Sequence, residues 1–360
     1  WRTDLGRAAG AAAGGGVPVP TCAYGLGGLY CTERGLAAAR VDPAGGRVVW
    51  SRPAASRPDQ GPPQPPVLAG GLVQVLSPDG GRLEALDPAT GRPRWTRDVS
   101  GYGGRVYRTA DAVLLVAADG TVTAVDAATN RERWRRAFPG HALPTFTAGL
   151  PGDGGRTAYA VTTADDGSRT RVTAVDTTRG TVRRQGSLPG YLTPVGTAPG
   201  GVLLLTESDA QSLTTAVVRY DPATGRARRA PLPVAVSQAG AATRGDMVYL
   251  LGADGGLVAV DSRRARPAQA QRWRLETSVS NASALVASGD RLYFSAADGR
   301  LLAVDTARRT LVGQTPPRPG RAGSGYLAHV PPPVAAQGRI FASAPEGTVF
   351  AVDERDPAHW

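Results

Sequence analysis

The stretch Gly81-Arg82-Leu83-Glu84-Ala85-Leu86-Asp87-Pro88-Ala89-Thr90-Gly91-Arg92-Pro93-Arg94-Trp95 decides the fold, because the chain repeats it. Gly120-Thr121-Val122-Thr123-Ala124-Val125-Asp126-Ala127-Ala128-Thr129-Asn130-Arg131-Glu132-Arg133-Trp134 has the same frame. The aspartate recurs at Asp42, Asp87, Asp126, Asp176, Asp221, Asp261, Asp305 and Asp353, at gaps of 45, 39, 50, 45, 40, 44 and 48 residues. Eight units of about 40–50 residues is the period of propeller blades built from four short strands each.

Each part of the unit has a physical role. The residue four before the aspartate is apolar, and two before it stands alanine in six units, with Arg40 and Arg219 as the exceptions. Alternation puts both positions on one strand face, and the small alanine lets a neighbouring sheet approach closely. Asp-Gly pairs at 79–80, 119–120, 254–255 and 298–299 precede the strand and are hairpin signals. Asp-Pro-Ala-Thr-Gly follows it at 87–91 and 221–225, combining a fixed proline φ, an aspartate that bonds back to the backbone and a glycine for the left-handed residue. Turn formation is sufficient to explain the eight aspartates without catalysis.

Tryptophan stands eight residues after the aspartate at Trp50, Trp95 and Trp134, and twelve after it at Trp273, which implies a short insertion. Arg184, Arg229 and Gly313 take that place in other units. A fixed place in a repeat suits packing between adjacent sheets better than a stacking platform for nucleic acid. The N-terminal Trp1-Arg2-Thr3-Asp4-Leu5-Gly6 resembles Trp95-Thr96-Arg97-Asp98-Val99-Ser100, the outer strand of a unit whose other strands are missing. Set beside the last repeat, it completes that blade and covers an open edge. The competing reading starts the last outer strand at Trp360 and leaves residues 1–6 surplus. The expected fold is therefore all-β: one eight-bladed β-propeller domain over 1–360, of four-stranded antiparallel blades, the last closed by the N-terminal strand. The expected blade limits are 7–61, 62–100, 101–138, 139–190, 191–234, 235–278, 279–320, and 321–360 with 1–6. The fourth unit has the longest gap and a polar segment, Thr162 to Arg171, which reads as an extended hairpin on which binding residues can gather.

Composition fits this reading. Gly 47 and Pro 30 are spread along the chain and leave little room for long helices. The formal net charge is +11, and all 41 cationic side chains are arginine. Scattered over the repeats, they reflect a GC-rich genome of the actinobacterial kind more economically than a nucleic-acid surface, so nucleic acid is not an expected partner. No run of 18 apolar residues spans a membrane. The start at Trp1, with no initiator Met or signal pattern, points to an excised piece of a longer protein.

Cys22 and Cys31 are the only cysteines, placed on the first two strands of the first blade around Gly25-Leu26-Gly27-Gly28. Antiparallel neighbours can meet disulfide geometry, and a bond predicts an extracytoplasmic domain. Free thiols would be small buried hydrophobes and would leave the cytoplasm open. No Ser/His/Asp constellation, phosphate loop or zinc spacing is present.

Segments 81–95 and 120–134 resemble the repeats of the PQQ-binding-like (quinoprotein-type) β-propeller family, along essentially the whole chain. That family includes PQQ-dependent dehydrogenases, scaffold lipoproteins of outer-membrane assembly, and sensor domains of bacterial serine/threonine kinases. The dehydrogenase branch implies an adjacent Cys-Cys pair, calcium held by Glu, Asn and Asp, and in one class a catalytic histidine. The cysteines here are nine apart; Asn130 lies in a turn and Asn281 opens the seventh blade; His141 and His329 read as loop histidines. PQQ and calcium are accordingly not expected, and no catalytic, cofactor or metal residues are assigned. The expected function is a non-catalytic binding or sensing module of a larger membrane-tethered protein, such as a kinase or a scaffold lipoprotein. It would take a protein, peptide or small ligand at a channel mouth or loop face. The alternative is a PQQ-dependent dehydrogenase.

Overall fold

The computed structural model describes residues 1–8, 19–54, 64–148, 156–320 and 330–360. Among the described residues the regular elements are strands, apart from four short helical turns at Leu5–Ala8, Ser100–Tyr102, Pro267–Ala270 and Pro357–His359. The strands form eight four-stranded antiparallel sheets, the arrangement of an eight-bladed propeller. Seven sheets take four consecutive strands in chain order: Thr21–Pro53, Val67–Asp98, Val106–Arg136, Thr145–Pro189, Tyr191–Ser237, Gly240–Glu276 and Val286–Gln314. The fifth runs to Ser237, past the limit expected at 234. The helical turn Pro267–Ala270 is the insertion that displaces Trp273.

Internal contacts divide the chain into two units, Trp1–Gly104 with Val279–Trp360, and Arg105–Ser278. In each, the middle strands are buried on both faces and the fourth strands are largely exposed. Ala112–Val116 is buried throughout, whereas Glu132–Arg136 buries only Trp134 fully. Within the second unit, Leu114, Val116, Val122 and Ala124 of the third sheet pack against Ala158, Ala160 and Val175 of the fourth. The alanines at the contact are what permit that approach.

The eighth sheet lies in the first unit. Its strands Val334–Ala336, Arg339–Ala344 and Thr348–Asp353 are completed by Arg2–Asp4, with Arg2 opposite Phe350 and Asp4 opposite Thr348. The Ala351 N–H donates to the Trp1 carbonyl at 2.9 Å. Leu5 is fully buried among Leu29, Cys31, Leu36 and Val349. The last tryptophan does not begin a strand. Trp360 follows a helical turn, donates its indole N–H to the Asp353 carbonyl, and lies against Tyr293 at 6.1 Å between ring centroids.

Candidate functional site

The eight repeat aspartates sit at the ends of third strands and hold the following turn. Asp87 Oδ1 accepts the N–H groups of Ala89 and Thr90 and the Thr90 hydroxyl, at 3.0–3.1 Å. Asp126 does the same for Ala128 and Thr129, and Asp176 for Thr178 and Arg179. Asp42, Asp221, Asp261, Asp305 and Asp353 each accept at least one N–H two residues on, from Ala44, Ala223, Arg263, Ala307 and Arg355. From Asp87 to Asp353 these bonds stabilise the ionised carboxylate. The Arg355 guanidinium and N–H hold Asp353 down at about 2, and the Arg308 N–H leads the lowering at Asp305. The aspartates are spread one per sheet at turns, not gathered at one centre.

The tryptophans lock neighbouring sheets. Trp50 of the first sheet donates its indole N–H to the Pro88 carbonyl of the second at 3.1 Å; Trp134 of the third donates to Thr177 of the fourth at 3.0 Å; Trp1 of the eighth donates to Pro43 of the first at 3.0 Å. Each acceptor is the residue after a repeat aspartate. The indole then lies over the turn glycine of the neighbouring sheet. A Cβ on Gly91 would stand 2.6 Å from Trp50, and one on Gly180 would stand 2.5 Å from Trp134. Both glycines also have φ near +70°, at +69° and +67°, which L side chains rarely adopt. Tyr249 packs beside Trp273 at 6.0 Å.

Cys22 and Cys31 are directly opposed in the first hairpin and joined as a disulfide, with Cα atoms 4.1 Å apart. The turn between their strands is the two-residue Leu26-Gly27, both at positive φ, while Gly25 and Gly28 belong to the strands. His141 bridges two strands of the fourth sheet. Its Nδ1 lies 2.7 Å from the Thr162 hydroxyl and its Nε2 2.8 Å from the Thr173 hydroxyl. Burial, then the Arg171 guanidinium, pushes it down to about 4. His329 lies outside the described residues.

The disulfide spans a hairpin instead of joining adjacent residues, and Asn130 and Asn281 are left-handed turn residues at φ +62° and +49°. Among the described residues no group of three His, Cys, Asp or Glu side chains converges as a metal site. One buried acid escaped the reading of the sequence. Glu33, at the end of the strand Gly28–Glu33, is 5 % exposed with Oε2 unpartnered. Burial, helped by the Asp4 carboxylate, raises it to about 8.

The place where the sheets depart from one another is the second unit. Second and third strands elsewhere have five or six residues. In the fourth sheet they are Thr157–Thr163 and Arg169–Asp176, and in the fifth Val202–Ser208 and Leu213–Asp221. Because the aspartate fixes one end, the added length appears at the opposite hairpin. Three residues add about 10 Å. The tips are the exposed turns Ala164–Ser168 and Asp209–Ser212, each built on an aspartate: Asp166 Oδ1 accepts Ser168 N–H, and Asp209 Oδ1 accepts Gln211 and Leu213 N–H. The fourth-sheet hairpin is pinned to the start of the fifth sheet, Gly190 and the first strand Tyr191–Ala198. Gly190 N–H donates to the Ser168 carbonyl at 2.7 Å, the Thr170 hydroxyl donates to the Gly190 carbonyl at 2.7 Å, and the same hydroxyl accepts Leu192 N–H at 2.9 Å. Glu207 is held by Arg229. The raised end thus presents Asp165, Asp166 and Asp209 on a chain of net charge +11. The polar segment 162–171 announced one of these hairpins; the second, around Asp209, was not singled out.

The fold has relatives among solved structures. BamB from Moraxella catarrhalis is similar at a TM-score of 0.61 and 20 % identity, over 92 % of each chain. The computationally designed Ika8 protein is similar at a TM-score of 0.67 and 17 % identity, over 95 % of this chain and 98 % of its own. Among curated proteins none matches the sequence. The family model described as outer membrane protein assembly factor BamB matches residues 34–193 and 190–360, nearly the whole repeat array. On those repeats, the chain belongs to the PQQ-like repeat family of outer membrane protein assembly factor BamB.

Proposed function

We propose that this chain is a non-catalytic protein-binding propeller, working outside the cytoplasm, that docks a partner on the raised hairpins of its fourth and fifth sheets. The observation that carries this reading is their extension. Among the described residues only these two neighbouring sheets are lengthened, at one end, and the fourth-sheet hairpin is pinned there to the start of the fifth sheet by Thr170, Gly190 and Leu192. A pinned hairpin loses little conformational freedom when it binds. Its carboxylates favour a partner with a basic or neutral face. The family's description as an assembly factor supports a protein partner, and the disulfide supports an oxidising compartment. PQQ and calcium take no part.

The test compares the chain with an Asp165→Arg/Asp166→Arg/Asp209→Arg variant of equal thermal stability, both used as affinity baits on envelope extracts of the source cells. The account expects a protein retained by the first and lost by the second. An identical retained set from both baits would refute the docking site. In parallel, PQQ and calcium are added to the purified chain with a redox dye and an alcohol or sugar. Dye reduction together with a bound chromophore would establish the dehydrogenase reading instead.

A further inference from the structure

We propose that a cleft between the fifth and sixth sheets binds a short neutral oligosaccharide. The cleft encloses about 370 Å³, within the range of small-molecule sites. Its polar lining is Thr193, Ser208, Ser212, Thr214 and Gln238. These side chains make no hydrogen bond within the described residues, although Thr214 is only 3 % exposed. Thr193, Ser212 and Gln238 are exposed and Ser208 is half-buried, so four hydroxyls and a carboxamide with no protein partner are open to a ligand in one space. The Thr206 hydroxyl, beside them, is engaged with the Thr193 carbonyl at 3.5 Å.

The chemistry of the lining selects the ligand class. No charged side chain lines the cleft, in a chain where 20 % of residues are charged, so an ionic ligand would find no counter-charge. Hydroxyl and amide groups both donate and accept, which suits a ligand whose own groups do both. Val195, Ala239 and Ala241 add an apolar wall. Tyr191 stands on the same strand face as Thr193, directly opposite Ser208, and is 50 % exposed. Tyr191 lies outside the lining itself, two residues along the strand from Thr193, where an aromatic face suits a pyranose whose C–H face stacks on the ring while its edge hydroxyls reach polar groups. Ser212 and Gln238, at the rim, are held in the left-handed region at φ +62° and +44°, where glycine would cost less.

The experiment titrates the whole chain with maltotriose, cellotriose and triacetylchitotriose, followed by saturation-transfer and chemical-shift NMR, with the uncharged peptide acetyl-trialanine N-methylamide as the competing class. Binding of at least one trisaccharide is expected, at least ten-fold weaker in Tyr191→Ala and in Thr193→Val/Ser208→Ala, with thermal midpoints unchanged. An Asp165→Arg/Asp166→Arg variant, altered only on the fourth-sheet tip, should bind sugar as the parent does, which separates this site from the protein-docking tips. The proposal is overturned if no trisaccharide binds, if the peptide binds more tightly than every sugar, or if sugar binding survives both pocket variants.

Discussion

The indole N–H of Trp134 and the missing Cβ of Gly180 are two halves of one contact between the third and fourth sheets. Removing the indole leaves a cavity and strands the Thr177 carbonyl, so Trp134→Ala should cost about 3–5 kcal/mol. Gly180→Ala should also destabilise, by about 1–3 kcal/mol, because the methyl meets the indole and the backbone is left-handed; urea denaturation reads both. Two other side chains set pH dependence, with opposite signs. Glu33 has its pKa raised to about 8 in the folded chain, above the ordinary carboxyl value, so the folded state holds the extra proton. Its stabilisation is complete below about pH 4 and is lost as pH rises toward 8. Comparing urea midpoints at pH 5 and 9, Glu33→Gln should lose less stability than the parent; equal losses would contradict the assignment. His141 is lowered to about 4, so the unfolded chain takes up the proton first. Its contribution is lost as pH falls from about 6.5 to 4, by about 3 kcal/mol in all. A His141→Gln variant should be flatter than the parent between pH 7 and 4.5. Trp and Asp were legible from their spacing. Glu33 was not, because Gly28-Leu29-Tyr30-Cys31-Thr32-Glu33 gives no sign that the carboxyl at its end loses water.

At the scale of elements, the N-terminal strand shows how a six-residue resemblance becomes an edge. Trp1-Arg2-Thr3-Asp4 pairs with Thr348–Asp353 and buries Leu5, and the Trp1 indole repeats the lock made by Trp50 and Trp134. Leu5→Ala should cost about 2–5 kcal/mol. Deleting residues 1–6 should expose the edge of Thr348–Asp353 and promote association. Light scattering and thermal denaturation measure these effects, and a truncated chain as stable and monomeric as the parent would contradict the closure. The long fourth strand of the fifth sheet, Arg226–Ser237, carries Pro231 and Pro233, which lack donors and so blunt its exposed edge. Strand identity was readable from the repeat frame, but strand length was not. Nothing in the repeat frame marks Ser208 and Thr214; in the fifth sheet they are ladder residues facing a cleft.

At the scale of the molecule, eight similar sheets make the departures informative. The repeat explains turns, locks and core, and each of these serves the fold. The hairpins of the fourth and fifth sheets exceed what the repeat needs, and function is assigned to that excess. Sequence showed half of this platform, through the polar run from Thr162 to Arg171. The other half depended on register between Val202–Ser208 and Leu213–Asp221, which pairing alone fixes. The most direct test places a photo-crosslinking residue at Gln211, on a raised tip, or at Thr224, in the turn at the opposite end of the same sheet, in the chain expressed in its source cells. The account predicts a discrete protein adduct from Gln211, abolished by the Asp165→Arg/Asp166→Arg/Asp209→Arg substitutions, and none from Thr224. The same adduct from both positions, or one from Thr224 alone, would contradict it.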